Sequence, residues 1–149
     1  MDIRTLTDPE IPASREQRIM NDLHIPASIE TPEIRFEFSR HRLAFRGVSC
    51  PENAPDFYAP IHSSLQGYLE KLTDDGQVDV SIGLHYSDSS SASAIRALIG
   101  MLARTAASGP SISVDWLHTE DDEMVMEFGI DLMEEHGSLK FNLVVAETA

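Results

Sequence analysis

A run of hydroxyls around one carboxylate, Tyr86-Ser87-Asp88-Ser89-Ser90-Ser91, interrupts the apolar patterning in the middle of the chain. It follows the alternation Val78, Val80, Ile82, Leu84 and precedes a helical stripe at Ile95, Leu98, Ile99 and Leu102. A strand that ends where a helix begins marks the sheet edge at which α/β proteins usually form sites. Two chemistries fit this run. Asp and Ser are preferred N-caps, and several in a row guarantee that the helix is capped. A hydroxyl exposed at a helix N-terminus can also accept a phosphoryl group, which meets free backbone N–H groups and brings up to about −2 of charge. The two readings are compatible.

Other residues suggest other chemistries. Ser89 with His118 or His85 and Asp88 could be imagined as a hydrolase triad, but no G-x-S-x-G elbow presents the serine. His118-Thr119-Glu120-Asp121-Asp122 offers oxygen ligands for a hard cation; acids in a first helical turn are also what the helix dipole favours, and capping is the preferred reading. Cys50 stands alone, without basic neighbours in sequence to activate it and without a partner for a disulfide. Met101, Met124, Met126 and Met133 read as fillers of core or surface, adaptable enough to serve a partner groove. No glycine-rich phosphate-binding motif is present, and no cofactor or metal is expected.

The elements that must position the 86–91 run follow from the hydrophobic periods. Ile34, Phe36 and Phe38, then Leu43 and Phe45, alternate around the polar corner Ser39-Arg40-His41 and predict a β-hairpin. Asn53 followed by Asp56 opens a helix with Phe57, Ile61, Leu65, Tyr68 and Leu72 on one stripe, although Pro60 should kink it or delay its start. Strand 78–84, helix 92–107, strand 112–116, a helix capped by Thr119 and a last strand 139–145 complete the order ββαβαβαβ. Such alternation demands parallel pairing after the hairpin. Strands that alternate, rather than running continuously apolar, predict helices mainly on one face of a mixed sheet, the other face left wet or open to a partner. Residues 1–19 show no sustained period and read as a disordered extension, with Met20 resembling a second start; 20–149 is read as one domain.

Charge narrows the partners. The chain of 149 residues carries 11 Lys+Arg against 25 Asp+Glu, a net −14 that repels nucleic acid and anionic lipid. From Glu120 to Glu135 there are eight acids and no Lys or Arg, a solvated face or a docking surface for a basic partner. There is no apolar stretch of membrane-spanning length and no secretory h-region, so a cytoplasmic protein is expected.

Asp22-Leu23-His24-Ile25-Pro26 with Thr31-Pro32, the loop Pro51-Glu52-Asn53 and the run Tyr86 to Ser91 together resemble, in order and spacing, the SiaC family of small bacterial regulatory phosphoproteins. The resemblance spans about residues 20–145 and implies a single-domain, STAS-like α/β fold (that of anti-sigma factor antagonists). It implies a partner switch without catalysis of its own. A Ser/Thr kinase of the histidine-kinase-like ATPase type would phosphorylate a loop hydroxyl, and a PP2C-like phosphatase would remove the phosphoryl. The unphosphorylated form would bind and activate a diguanylate cyclase (GGDEF domain), raising cyclic di-GMP and promoting biofilm or aggregation. The family loop reads Tyr-x-Asn-Thr-Ser-Ser with Thr the acceptor, which falls on Ser89 here, with Asp88 in place of Asn. The Asp-Ser-Ser of anti-sigma factor antagonists, modified on the second Ser, keeps Ser90 as the alternative. Ser93 stands where many relatives carry Lys. Tyr86, Asp88 and Ser91, with Pro51, Glu52 and Asn53 of the neighbouring loop, would shape recognition by partners. Two rivals remain from the residues themselves: a small serine hydrolase using Ser89, His118 and Asp88, and an unmodified adaptor that docks through its acidic helix.

Overall fold

The computed structural model describes residues 22–146; the extension expected over 1–19 lies outside them. Six strands carry the chain: β1 (Leu23–Ile25), β2 (Glu33–Glu37), β3 (Arg42–Ser49), β4 (Gln77–Ser87), β5 (Ser111–His118) and β6 (Lys140–Val145). Three helices connect them: α1 (Ala54–Glu70), α2 (Ser89–Ala107) and α3 (Glu123–Glu135). The strands lie side by side in chain order. β1, β2 and β3 pair antiparallel, and β3 through β6 pair parallel, as the hairpin and the strand–helix alternation require.

This order decides where the helices go. Right-handed crossovers that always step in one direction place every helix on the same face. The burial pattern agrees: Ile34, Phe36, Leu43, Phe45, Val80, Ile82, Val114 and Trp116 are buried beneath the helices. Arg35, Arg46, Asp79, Asp115 and Lys140 alternate with them and are exposed on the opposite face. Full burial of such aliphatic and aromatic side chains stabilises by about 1.5–3 kcal/mol each, so the pattern is strongly enforced. The α/β mixed sheet with helices on one face is as expected from the sequence.

Several local details differ from the sequence reading. β1 adds a strand before the hairpin, with Leu23 opposite Phe36 and Ile25 opposite Ile34. Three residues are too few to show a period of their own, so only pairing with β2 reveals them. Helix α1 starts at Ala54 and runs through Pro60. The carbonyl that Pro60 leaves without an N–H belongs to Asp56, and both residues are exposed, so water can satisfy it. Asp122, not Thr119, caps α3: its Oδ1 accepts the Val125 N–H at 3.1 Å, while the Thr119 hydroxyl donates to Asp121. α3 approaches the sheet closely at Gly129, where an added Cβ would lie 2.4 Å from Trp116 Cδ1.

Candidate functional site

Parallel β3 and β4 end side by side, with Ser49 opposite Ser87 in register. The 50–53 and 88–91 segments therefore leave the same edge of the sheet. Just before that point the register shifts: Gly47 faces Leu84 and Val48 faces Tyr86, skipping His85. Such an irregularity re-aims the strand end next to a site. It leaves Tyr86 54% exposed although its parity is that of the core.

Asp88 organises the turn into α2. Its carboxylate accepts the Ser91 N–H at 2.8 Å, its carbonyl accepts the Ala92 N–H at 2.8 Å, and its own N–H donates to the Ser49 carbonyl at 3.1 Å. The helix thus starts at Ser89, three residues before the start at 92 expected from the sequence. Ser89 and Ser90 are exposed in its first turn. Their N–H groups belong to the turn that has no intrahelical acceptor.

Ser91 behaves differently. Expected among the residues that face a partner, it is fully buried, and its hydroxyl accepts from Ser49 Oγ at 2.8 Å. Ser49, also fully buried, lies 2.7 Å from the Tyr58 hydroxyl on α1. Since the Ser49 proton goes to Ser91, the Tyr58 proton goes to Ser49. This chain of three hydroxyls ties β3, α1 and the first turn of α2 together beneath the exposed serines. Burial pushes the Tyr58 phenol above its usual value; the Ser49 bond opposes that shift, and the nearby Asp88 charge adds to it.

On the adjoining loop, Asn53 caps α1 by accepting the Asp56 N–H at 3.2 Å, as its spacing predicted. Pro51 is half-buried and Glu52 is exposed. The Cys50 N–H donates to the Glu30 carbonyl at 2.7 Å, which fastens this loop to the β1–β2 connection.

The hydrolase constellation does not assemble. The Asp88 carboxylate is committed to the Ser91 N–H, and His118 Nδ1 donates to the Thr119 carbonyl at 2.9 Å. No hydrogen bond joins Ser89, His118 and Asp88 among the described residues. With Ile82 opposite Trp116, His118 falls level with Leu84, four residues short of Asp88. Among the described residues no group of three His, Cys, Asp or Glu side chains is disposed to hold a metal ion, and no helix is long and apolar enough to cross a membrane. Ser49 and Tyr58 escaped sequence reasoning. The available signal was a serine at the end of an otherwise apolar face and a tyrosine three residues before Ile61 of the α1 stripe.

The structure is a one-faced α/β sheet that presents two solvent-facing hydroxyls, Ser89 and Ser90, in the capped first turn of α2. The chain matches the SiaC family regulatory phosphoproteins over residues 25–146, and it belongs to that family. It is 28% identical over 118 residues to uncharacterized protein PA14_02130 of Pseudomonas aeruginosa (strain UCBPP-PA14), covering 78% of this chain and 90% of that protein. Its fold is that of apo-SiaC from P. aeruginosa, with a TM-score of 0.72 at 24% identity over 85% of this chain and 99% of the other. It matches equally well a chain in the crystal structure of the P. aeruginosa diguanylate cyclase SiaD in complex with its activator SiaC, with a TM-score of 0.73 at 24% identity over 83% and 98% of the two chains. At these identities the structural likeness establishes the shared fold.

Proposed function

We infer that this protein is a non-enzymatic switch whose unphosphorylated form binds and activates a diguanylate cyclase of the GGDEF type. A Ser/Thr kinase of the histidine-kinase-like ATPase type transfers a phosphoryl to Ser89 Oγ, with Ser90 the alternative acceptor, and a PP2C-like phosphatase removes it. The observation that carries this reading is the pair of exposed hydroxyls in the first turn of α2, set on a buried hydroxyl chain that fixes the turn. Family membership and the SiaD–SiaC complex of the structural relative support it.

The energetics follow from Asp88. A phosphoryl on Ser89 adds about two negative charges within one residue of an existing carboxylate. If a partner covers that spot, the phosphoryl must lose water, which costs several kcal/mol per ion; an exposed ion pair returns about 1 kcal/mol at most. Docking over the first turn therefore weakens sharply on phosphorylation.

The test is intact mass and peptide mapping of the chain isolated from its own cells, followed by cyclase binding with each form. The expected result is phosphate on Ser89 and loss of cyclase binding in that form. Phosphate at undiminished stoichiometry in Ser89→Ala removes Ser89 as the acceptor. Equal cyclase affinity with and without phosphate removes the switch.

A further inference from the structure

The open face of the sheet, opposite the helices, sorts its charges by strand. Arg35 on β2 and Arg42 and Arg46 on β3 are exposed along one half, Asp79 on β4 and Asp115 on β5 along the other. Glu33, Glu37 and Lys140 bring the strand residues of this face to four charges of each sign. The whole chain carries −14, so this is a balanced face on an acidic molecule. Net charge drives copies of such a chain apart, and a balanced face is where two copies can meet.

Register sets the charges in rows across the strands. Arg42 on β3 stands opposite Asp79 on β4. In the next row Arg35 stands opposite Ala44, Ala44 opposite Ser81, and Ser81 opposite Asp115. A line along the strands, midway between β3 and β4, thus has Arg42 and Asp79 at equal distances on its two sides. Arg35 and Asp115 lie at equal distances one strand further out. A two-fold axis on that line exchanges β3 with β4 and β2 with β5 between facing copies. It sets Arg42 over the partner's Asp79 and Arg35 over the partner's Asp115, each contact occurring twice. The twist survives the operation, because such an axis carries a uniformly twisted sheet onto itself.

Packing permits the approach. Ala44, Ser81 and Gly83 flank the axis and are small, so two sheets can stack at the usual separation of about 10 Å. Leu117 leans over Gly83, where an added Cβ would lie 3.2 Å from its Cδ1, and offers an apolar seat for the Arg46 methylenes of the facing copy. Arg35 is held over the face by Glu33 Oε2 at 3.1 Å. Asp115 accepts from Asn142 Nδ2 at 3.0 Å and keeps further lone pairs for a second donor. Six strands of about this length give a face of about 600 Å². Two such faces bury about 1,200 Å², the lower end of what a specific complex needs.

We propose that the open sheet face joins two copies of this chain in a symmetric dimer, registered by Arg35–Asp115 and Arg42–Asp79 pairs between the copies. The helices, and Ser89 with them, remain on the outer surface of both copies.

Sedimentation velocity of the full chain, at concentrations from about 1 to 500 µM, is expected to show monomer converting to dimer. Association should weaken about tenfold between about 0.05 and 0.5 M salt. Amide shifts of the ¹⁵N-labelled chain over the same range should centre on Ala44, Ser81 and Asp115, without any substitution. Arg35→Glu with Arg42→Glu makes both halves of the face acidic, and Asp79→Arg with Asp115→Arg makes both basic. Each variant should self-associate at least about tenfold more weakly. Mixed together, the two regain an opposite charge at every pair and should bind each other within about threefold of the wild-type affinity. Lys71→Glu with Arg104→Glu, on the helical side, changes net charge as much as the acidic variant and should leave association within about threefold. A chain that stays monomeric to about 500 µM, concentration-dependent shifts confined to the helices, or a mixture no tighter than its components overturns the dimer. Dimers that appear only after residues 1–19 are removed assign the face to that extension and overturn it too.

Discussion

The hydroxyl chain beneath α2 makes a quantitative prediction, because Ser49 is its hinge. Tyr58→Phe removes the donor to Ser49 and leaves the Ser49–Ser91 bond of 2.8 Å intact. Ser91→Ala removes the acceptor and leaves Ser49 its contact with Tyr58 at 2.7 Å. Each single substitution therefore deletes one buried hydrogen bond and should cost about 1 kcal/mol. The double variant strands the Ser49 hydroxyl, which is fully buried, with neither partner. A buried polar group without any hydrogen bond costs about 1–3 kcal/mol in its own right, so the double variant should lose about 3–4 kcal/mol rather than 2. The coupling of at least about 1 kcal/mol lies within the range seen for residues of one network. Urea unfolding of the four proteins, followed by emission of the lone Trp116, measures it. Additivity to within about 0.3 kcal/mol would show that Ser49 does not join the two residues, and the account of how the first turn of α2 is held would fall.

Other substitutions and pH probe the same scaffold. Gly129→Ala would ordinarily stabilise a helix by about 1 kcal/mol, but here the new Cβ meets Trp116 Cδ1 at 2.4 Å and Nε1 at 2.6 Å, against an indole that donates to the Val125 carbonyl at 2.8 Å. A net loss is expected, lowering Tm by about 5 °C in a calorimetric scan, and a rise would refute the close approach. Asp88→Ala should cost about 1 kcal/mol and speed hydrogen exchange at the Ser91 and Ala92 amides, whereas Asp88→Asn keeps the cap and most of the protection. Burial raises the phenols of Tyr58 and Tyr68 above 10.0. Because the folded state holds these protons more tightly, the stability they contribute is complete below pH 10 and is lost as pH rises through their higher folded values. Phenolate absorbance should therefore show both tyrosines ionising later in the folded chain than after unfolding in urea. Hydrogen bonds from His24 and Arg35 lower the Glu33 carboxyl below its usual 4.5. Its contribution is present above that value and lost as pH falls through the folded one, and Arg35→Gln should raise the titration midpoint seen by NMR.

Period alone established much of this protein. Alternation at Ile34–Phe36, Leu43–Phe45, Val78–Leu84 and Ile112–Trp116 identified the strands and predicted one buried face, because a strand's side chains can point only two ways. Asn53 was legible as a cap, and the Asp–Ser run as one that holds a cap, because a cap is a local bond made within three residues. That Asp88 is the residue came from the structure. The alternation of the strands also predicted helices mainly on one side, and the sheet order β1 to β6 with right-handed crossovers is what places them there.

Other features were decided only by the tertiary structure. β1 exists because Leu23–Ile25 finds β2, and three residues alone carry no period. α3 starts after Asp122 rather than Thr119, and its Val125 carbonyl accepts the Trp116 indole N–H from the sheet at 2.8 Å. Ser49, Tyr58 and Ser91 stand 9 and 33 residues apart along the chain and become one chain of hydroxyls only because parallel β3 and β4 end together beneath α1 and α2. Local bonds and repeat distances are written in neighbouring residues, whereas contacts across a crossover depend on register and packing that no short window contains.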